Sequence, residues 1–199
     1  MFPLFETIKI QDGQPQNLSW HQERFERSYG QFYDRSPGVV IQQMLSVPFA
    51  FSQGIVKCRF KYNNWEFVFS FQHYQPKRID TLKIVHDNEI DYSLKYTNRN
   101  ALENLLQQRA ACDDIIIVKN GLITDSSYSN LVFYDGNRWI TPAEPLLTGT
   151  KRALLLADGI IEADVIRVKD LDAFSSLKLI NAMLDFEEQP AIDIAAIKF

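Results

Sequence analysis

Asn120-Gly121 stands between two short apolar runs, Ile115–Val118 and Leu122–Thr124, and constrains the fold more than any other feature of the chain. Asn-Gly accepts the positive φ angles of a two-residue hairpin turn, so the flanking runs read as paired strands. A second reversal follows at once. Asp135-Gly136-Asn137 separates Leu131–Tyr134 from Arg138–Ile140, again as a hairpin. The centre of the chain is therefore a β-sheet built by local turns.

The flanks add helices and further strands. Leu4–Ile10 reads as a strand leading to the Asp12-Gly13 turn, and Leu18–Tyr29 reads as a helix. Val39–Leu45 is a short apolar helix ended near Pro48. Gly54–Phe60 and Trp65–Phe71 pair about Asn63-Asn64. Here Lys57, Arg59 and Lys61 alternate with Val56, Cys58, Phe60 and Tyr62, the pattern of a half-buried strand. Leu82–Val85 is expected to join the strands of this first lobe, mixed in class and antiparallel in pairing. Ala101, Leu102, Leu105, Leu106 and Ala110 line one face of a helix expected over Asn98–Ala111, closed by a solvated Asp113-Asp114. Thr148-Gly149-Thr150 opens a helix through Ala157 that stops at Gly159. Val165–Val168 reads as a strand and Leu171–Phe174 as a short helix. The boundary falls between Asp87 and Arg99, giving lobes over 1–90 and 91–199.

Composition narrows the function classes. The net charge of -4 gives no reason to expect a nucleic-acid partner, since phosphate binding usually needs a basic face. Cys58 and Cys112 are too few for a secreted disulfide scaffold and suit a reducing compartment. Three scattered histidines, without CxxC or HExxH, argue against a dedicated metal site. The start, Met1-Phe2-Pro3-Leu4-Phe5-Glu6, shows neither a signal peptide nor a membrane span, so the cytoplasm is expected.

Several residues can carry chemistry, each with an ordinary alternative. Lys95, at the lobe boundary, can attack an aldehyde if it loses its proton; most lysines are merely solvated. Arg59 can fork onto a phosphate, or belong to a solvated charged strand face. Thr148-Gly149-Thr150-Lys151 offers backbone N–H groups to a phosphate, or is an ordinary capped helix. Asp125 can hold a proton on a heteroaromatic nitrogen, or make an Asx turn.

The order of these motifs resembles the class IV aminotransferase family, the fold-type IV pyridoxal phosphate enzymes, from Phe5 to about Leu184. Phe5-Glu6-Thr7 is similar to the family's opening FET segment, and Leu18, His21 and Arg24 to its L-x-x-H-x-x-R pattern. The resemblance implies that Lys95 is the Schiff-base lysine and Arg59 a phosphate ligand. Gly121 to Asn130 is similar to the segment whose acid, here Asp125 in place of glutamate, pairs with the pyridine nitrogen. Thr148 to Arg152 resembles the phosphate loop, so Gly149, Thr150 and Lys151 are expected at the phosphate, with Asn181-Ala182 as a later small pair beside it. Lys151 and Ala182 lack the hydroxyls usual at their positions.

The resemblance further implies an α+β two-lobe fold of the D-amino acid aminotransferase type. A small mixed lobe and a larger α/β pseudo-barrel lobe would hold pyridoxal 5'-phosphate between them. It implies a homodimer acting on a small-molecule substrate, with no nucleic-acid or membrane partner. Lys95-Tyr96-Thr97-Asn98-Arg99 resembles the K-x-x-N-R run of the aminodeoxychorismate lyases, which release pyruvate and form 4-aminobenzoate. Transamination of a branched-chain or D-amino acid is the alternative. A weakly active paralogue that only binds the cofactor is a third.

Overall fold

The structure, a computed structural model, describes all 199 residues and divides into two compact units. The first comprises Met1–Pro76 and Leu94–Asn98. Its strands are β1 (Leu4–Gln11), β2 (Gln14–Pro15), β3 (Ile55–Tyr62) and β4 (Phe67–His73), in the antiparallel order β2-β1-β3-β4. Helices α1 (Leu18–Tyr33) and α2 (Ile41–Met44) lie between β2 and β3 in the chain.

Alternation divides the sheet cleanly. Leu4, Ile8 and Ile10 of β1 share a face with Val56, Cys58, Phe60 and Tyr62 of β3. That face buries against Phe25 and Tyr29 of α1, with Phe60 stacked on Phe69 at 4.7 Å. The opposite face carries Thr7 and Lys9 beside Arg59 and Lys57, with Ser70 and Gln72 beyond on β4. The phenylalanines of β4 are thus strand packing, as their spacing predicts.

The second unit comprises Lys77–Ser93 and Arg99–Phe199. It contains β5 (Leu82–His86), α3 (Asn100–Leu106), β6 (Asp114–Lys119), β7 (Leu122–Ser126), β8 (Asn130–Tyr134) and β9 (Trp139–Pro142). Helix α4 (Thr150–Ala157) follows, then β10 (Ile161–Asp164), β11 (Ser176–Ile180), β12 (Ile192–Asp193) and β13 (Ile197–Lys198). The sheet runs β10-β9-β8-β7-β6-β5-β13, with β11 branching from β8 and carrying β12. Both expected hairpins form, and Asn120 and Gly121 take φ of 52° and 79°.

Three local expectations change. Leu82–Val85 does not join the first unit: β5 pairs parallel with β6 and with β13, so the first unit closes at Pro76 and not near residue 90. The helix over Asn98–Ala111 is shorter. After α3 the chain tightens to a 3₁₀ turn at Gln107–Arg109, then reverses at Ala110, whose φ is 53°. This reversal lets Asp113 anchor on Thr81, which aligns β6 with β5. Val165–Val168 is not a strand. The strand there is β10, parallel to β9, and Val168–Ala173 is a 3₁₀ helix.

Candidate active site

Strand β1 sends neighbouring residues to opposite faces, and both matter. Glu6 is fully buried on the α1 side. Arg24 Nε donates to Glu6 Oε1 at 2.9 Å and its Nη2 to Oε2 at 2.5 Å, a two-pronged ion pair. His21 Nδ1 lies 2.7 Å from the same Oε2. Burial alone would raise the Glu6 carboxyl. The Arg24 charge and the two side-chain hydrogen bonds outweigh it and bring the value down to about 2. For His21 burial wins over Glu6 and lowers the pKa, so a neutral ring donates Nδ1–H to the carboxylate. His21 and Arg24 stand three residues apart on the buried stripe of α1. The L-x-x-H-x-x-R spacing is the sequence signal for this cluster.

Phe5 faces the other way. Its backbone N–H donates to the Lys95 carbonyl at 3.1 Å, and Leu4 bridges Tyr96 antiparallel. Residues 94–98 therefore run along the start of β1. Lys95 is half-buried, with Nζ 5.1 Å from the centre of the Phe5 ring. The Arg59 guanidinium lies 5.5 Å from that same ring. The structure thus brings the expected lysine and the expected arginine onto one aromatic side chain.

The second unit holds the remaining predicted residues. Asp125, near the end of β7, is 5% exposed. Asn130, its register partner on β8, donates Nδ2–H to Asp125 Oδ1 at 2.7 Å and to the Leu147 carbonyl at 2.8 Å. The Leu147 N–H donates to Asp125 Oδ2 at 2.9 Å. Burial pushes the Asp125 carboxyl up to about 7, against these hydrogen bonds and the Arg152 charge. Arg152, on α4, is fixed by Thr141 Oγ1 and the Pro142 carbonyl.

Gly149 is the N-cap of α4, and no side chain caps that helix start. Its φ is an ordinary -71°; the demand for glycine is steric. A Cβ there would overlap the Asn130 amide oxygen, which cannot retreat because both Nδ2 hydrogen bonds hold it. Thr150 and Lys151 are buried in the first turn, and Lys151 Nζ reaches Asp185 at 3.7 Å. Ala182 follows β11 beside Asn181, whose side chain donates to Ser129 Oγ at 2.8 Å and accepts from the Met183 N–H.

Arg99 has a role its motif did not reveal. Its guanidinium donates to Tyr92 Oη at 3.1 Å and to the Ser127 carbonyl at 2.6 Å. Tyr92, Arg99 and Ser127 all belong to the second unit, and Arg99 ties Tyr92 to the turn after Asp125. Asp114, expected at a solvated helix end, is instead fully buried at the start of β6. Burial raises its pKa, against the opposing effect of neighbouring donors on Ser127, Ile115 and Ser126.

Residues 66–186 match the model of the family described as amino-transferase class IV. A Haemophilus influenzae protein of uncharacterised function is 40% identical over 185 residues, spanning 92% of this chain and 98% of that one. A crystal structure from Haemophilus somnus, of a protein described as a candidate 4-amino-4-deoxychorismate lyase, superposes with a TM-score of 0.87. It is 42% identical and covers 92% of this chain and 97% of its own. A pyridoxal phosphate-bound structure of a hypothetical aminotransferase from Mycobacterium tuberculosis shares the fold at a TM-score of 0.75. It is 17% identical, covering 96% of this chain and 80% of its own.

The fold and the family match define a pyridoxal phosphate-dependent enzyme of fold type IV. The chain belongs to the class IV aminotransferase family. Its residues fit the cofactor. The first unit supplies a half-buried amine suited to an aldehyde; the second supplies, separately, a buried carboxylate with its pKa near neutrality and a helix start without a side-chain cap, suited to a pyridine nitrogen and a phosphate.

Proposed function

We propose that the protein converts 4-amino-4-deoxychorismate to 4-aminobenzoate and pyruvate. The observation that carries the reading is the 42% identity, over nearly the full length of both chains, to the Haemophilus somnus protein described as a candidate for that lyase. The Lys95–Arg99 run supports it. When bound, pyridoxal 5'-phosphate supplies an electron-accepting ring.

Everything else falls to the chain's own residues. Lys95 would hold the cofactor through Nζ, and the same amine is the group that would move a proton at the substrate carbon beside it. Asp125 would pair with the ring nitrogen and favour its protonated form. Its carboxyl, raised to about 7, ionises readily once a cation faces it. The Asn130–Leu147 clamp fixes the direction of that carboxylate, and the N–H groups at Thr150 and Lys151 take the phosphate, with the Ala182 turn beside it. Such fixed donors and charges favour the reacting geometry without reorganising during the reaction.

The protein works in this reading as a cytoplasmic homodimer; its free Cys58 and Cys112 suit a reducing compartment. No helix is long and apolar enough to cross a membrane.

The test is direct. Cofactor-loaded protein is incubated with 4-amino-4-deoxychorismate, and 4-aminobenzoate and pyruvate are quantified. Equimolar products above the no-enzyme control are expected. Lys95→Ala is expected to lose the cofactor's visible absorbance and to slow turnover by about 10²–10⁴-fold from lost proton transfer alone. Amino exchange between an amino acid and a 2-oxo acid, with no 4-aminobenzoate, would replace the lyase by a transaminase.

A further inference from the structure

Asp114, the first residue of β6, is a fully buried carboxyl that the chemistry above does not use. On one side it pairs in register with Leu82 of β5. On the other, β6 runs antiparallel to β7, with Ile116 opposite Ser126. Asp114 comes two residues earlier, so it lies beyond the last residue of β7, against the turn that follows Asp125. The hydroxyls of Ser127 and Ser126 and the backbone N–H groups of Ile115 and Ser127 face its carboxyl. The rest of the strand start is Ile115, Ile116 and Ile117, all buried. A carboxyl among isoleucines is costly to bury, and the donors of this turn are what offset it.

The turn itself is built of buried serines. The Ser126 N–H donates to the Ser129 carbonyl at 2.8 Å, and the Ser129 N–H donates to Ser126 Oγ at 3.0 Å. Because that Oγ accepts from Ser129, its own hydrogen can point at Asp114. Ser129 Oγ in turn accepts from Asn181 at 2.8 Å. Asp125 and Asn130 are the two ends of this turn, paired in register and joined by the 2.7 Å hydrogen bond. An aspartate carries its carboxyl directly on Cβ, so its oxygens go where the backbone puts them. A turn displaced by ~1 Å would take the Asp125 oxygens out of hydrogen-bond geometry.

We propose that Asp114 is a positioning residue for Asp125. Its carboxyl holds the Ser126–Ser127 side of the turn against the start of β6. The turn passes that constraint to both of its ends, so the Asp125 carboxyl keeps one direction. Asp114 acts through Asp125 and not on the cofactor. The inference rests on the reading of Asp125 as the partner of the pyridine nitrogen.

The measurement is the preference for pyridoxal phosphate over its deaza analogue, in which CH replaces the ring nitrogen. Both are titrated into cofactor-free protein by calorimetry, for the native chain, Asp114→Val, Asp114→Asn, Ser127→Ala and Asp125→Ala. The native chain is expected to prefer pyridoxal phosphate by about tenfold or more, the worth of a hydrogen bond to a charged group, and Asp125→Ala to abolish the preference. Asp114→Val is expected to shrink it by about threefold or more, and Asp114→Asn, which keeps the shape and one acceptor oxygen, to shrink it less. A role confined to stability would weaken both cofactors alike and leave their ratio unchanged. A native ratio in Asp114→Val would therefore overturn the proposal. If Asp114→Val does not fold, Ser127→Ala removes a donor from the same contact and is expected to shrink the ratio by about twofold. A native ratio in both Ser127→Ala and Asp114→Asn would then overturn the proposal. A native chain that binds the two cofactors equally would remove the Asp125 reading and the proposal with it. The native chain thus separates failure of that reading from failure of Asp114 alone.

Discussion

Asp125 and Glu6 are both buried carboxylates, yet their surroundings drive them in opposite directions. Asp125 meets neutral donors and a more distant arginine, and burial prevails, raising it to about 7. Glu6 meets a two-pronged arginine, and the charge prevails, lowering it to about 2. The pH dependences follow with opposite sign. Without cofactor, folded Asp125 retains a proton that the unfolded chain releases, so its contribution to stability is lost as pH rises from the ordinary carboxylate range to about 7. Asp125→Asn is expected to remove that slope, read from urea midpoints at about pH 4.5 and about pH 7.5. The Glu6 contribution is present above the ordinary carboxylate range and is lost as pH falls toward about 2. Glu6→Gln leaves Arg24 buried without its counter-charge, and a loss of about 3–5 kcal/mol is expected in denaturant unfolding at neutral pH. A loss below ~1 kcal/mol would show that the ion pair does not hold in solution.

At the scale of elements, α4 is the part most dependent on its neighbours. It has eight residues and no side-chain cap, so its start is set by the β7–β8 pair through Asn130. Gly149→Ala is expected to push the Asn130 amide off Asp125 and to cost about 1–3 kcal/mol of stability through overpacking. The same change is expected to weaken pyridoxal phosphate binding, measured by equilibrium dialysis. Retained affinity would mean that the Asn130 clamp does not set the turn. Helix α1 behaves otherwise. Its buried stripe is legible in sequence, and it forms as predicted, extended to Tyr33. Helix α3 was overestimated because the apolar stripe continues to Ala110, while the need to place β6 beside β5 reverses the chain there.

At the scale of the molecule, membership of the two units does not follow chain order. Residues 94–98 belong to the first unit and lie along β1, and the last residues pair with β5 within the second. Ending the chain after Asp193 removes β13 and the burial of Ile197, which is 5% exposed. A loss of about 1.5–3 kcal/mol in the unfolding free energy is expected. By itself the sequence determined what neighbouring residues decide: the hairpins at Asn120-Gly121 and Asp135-Gly136-Asn137, the buried stripe of α1, and the opposite faces of β3. It also marked Lys95, Asp125 and Gly149 through the order and spacing of short motifs. Only the tertiary structure decided which strands lie beside β5, that Asp114 is buried, and that Glu6 joins His21 and Arg24. It alone placed Phe5 under both Lys95 and Arg59. The physical reason is sequence distance. A turn or a helical stripe is selected by residues within one or two turns of chain. A parallel strand pair, a buried carboxylate or a shared aromatic ring is selected by partners tens of residues away, and local pattern carries no record of them.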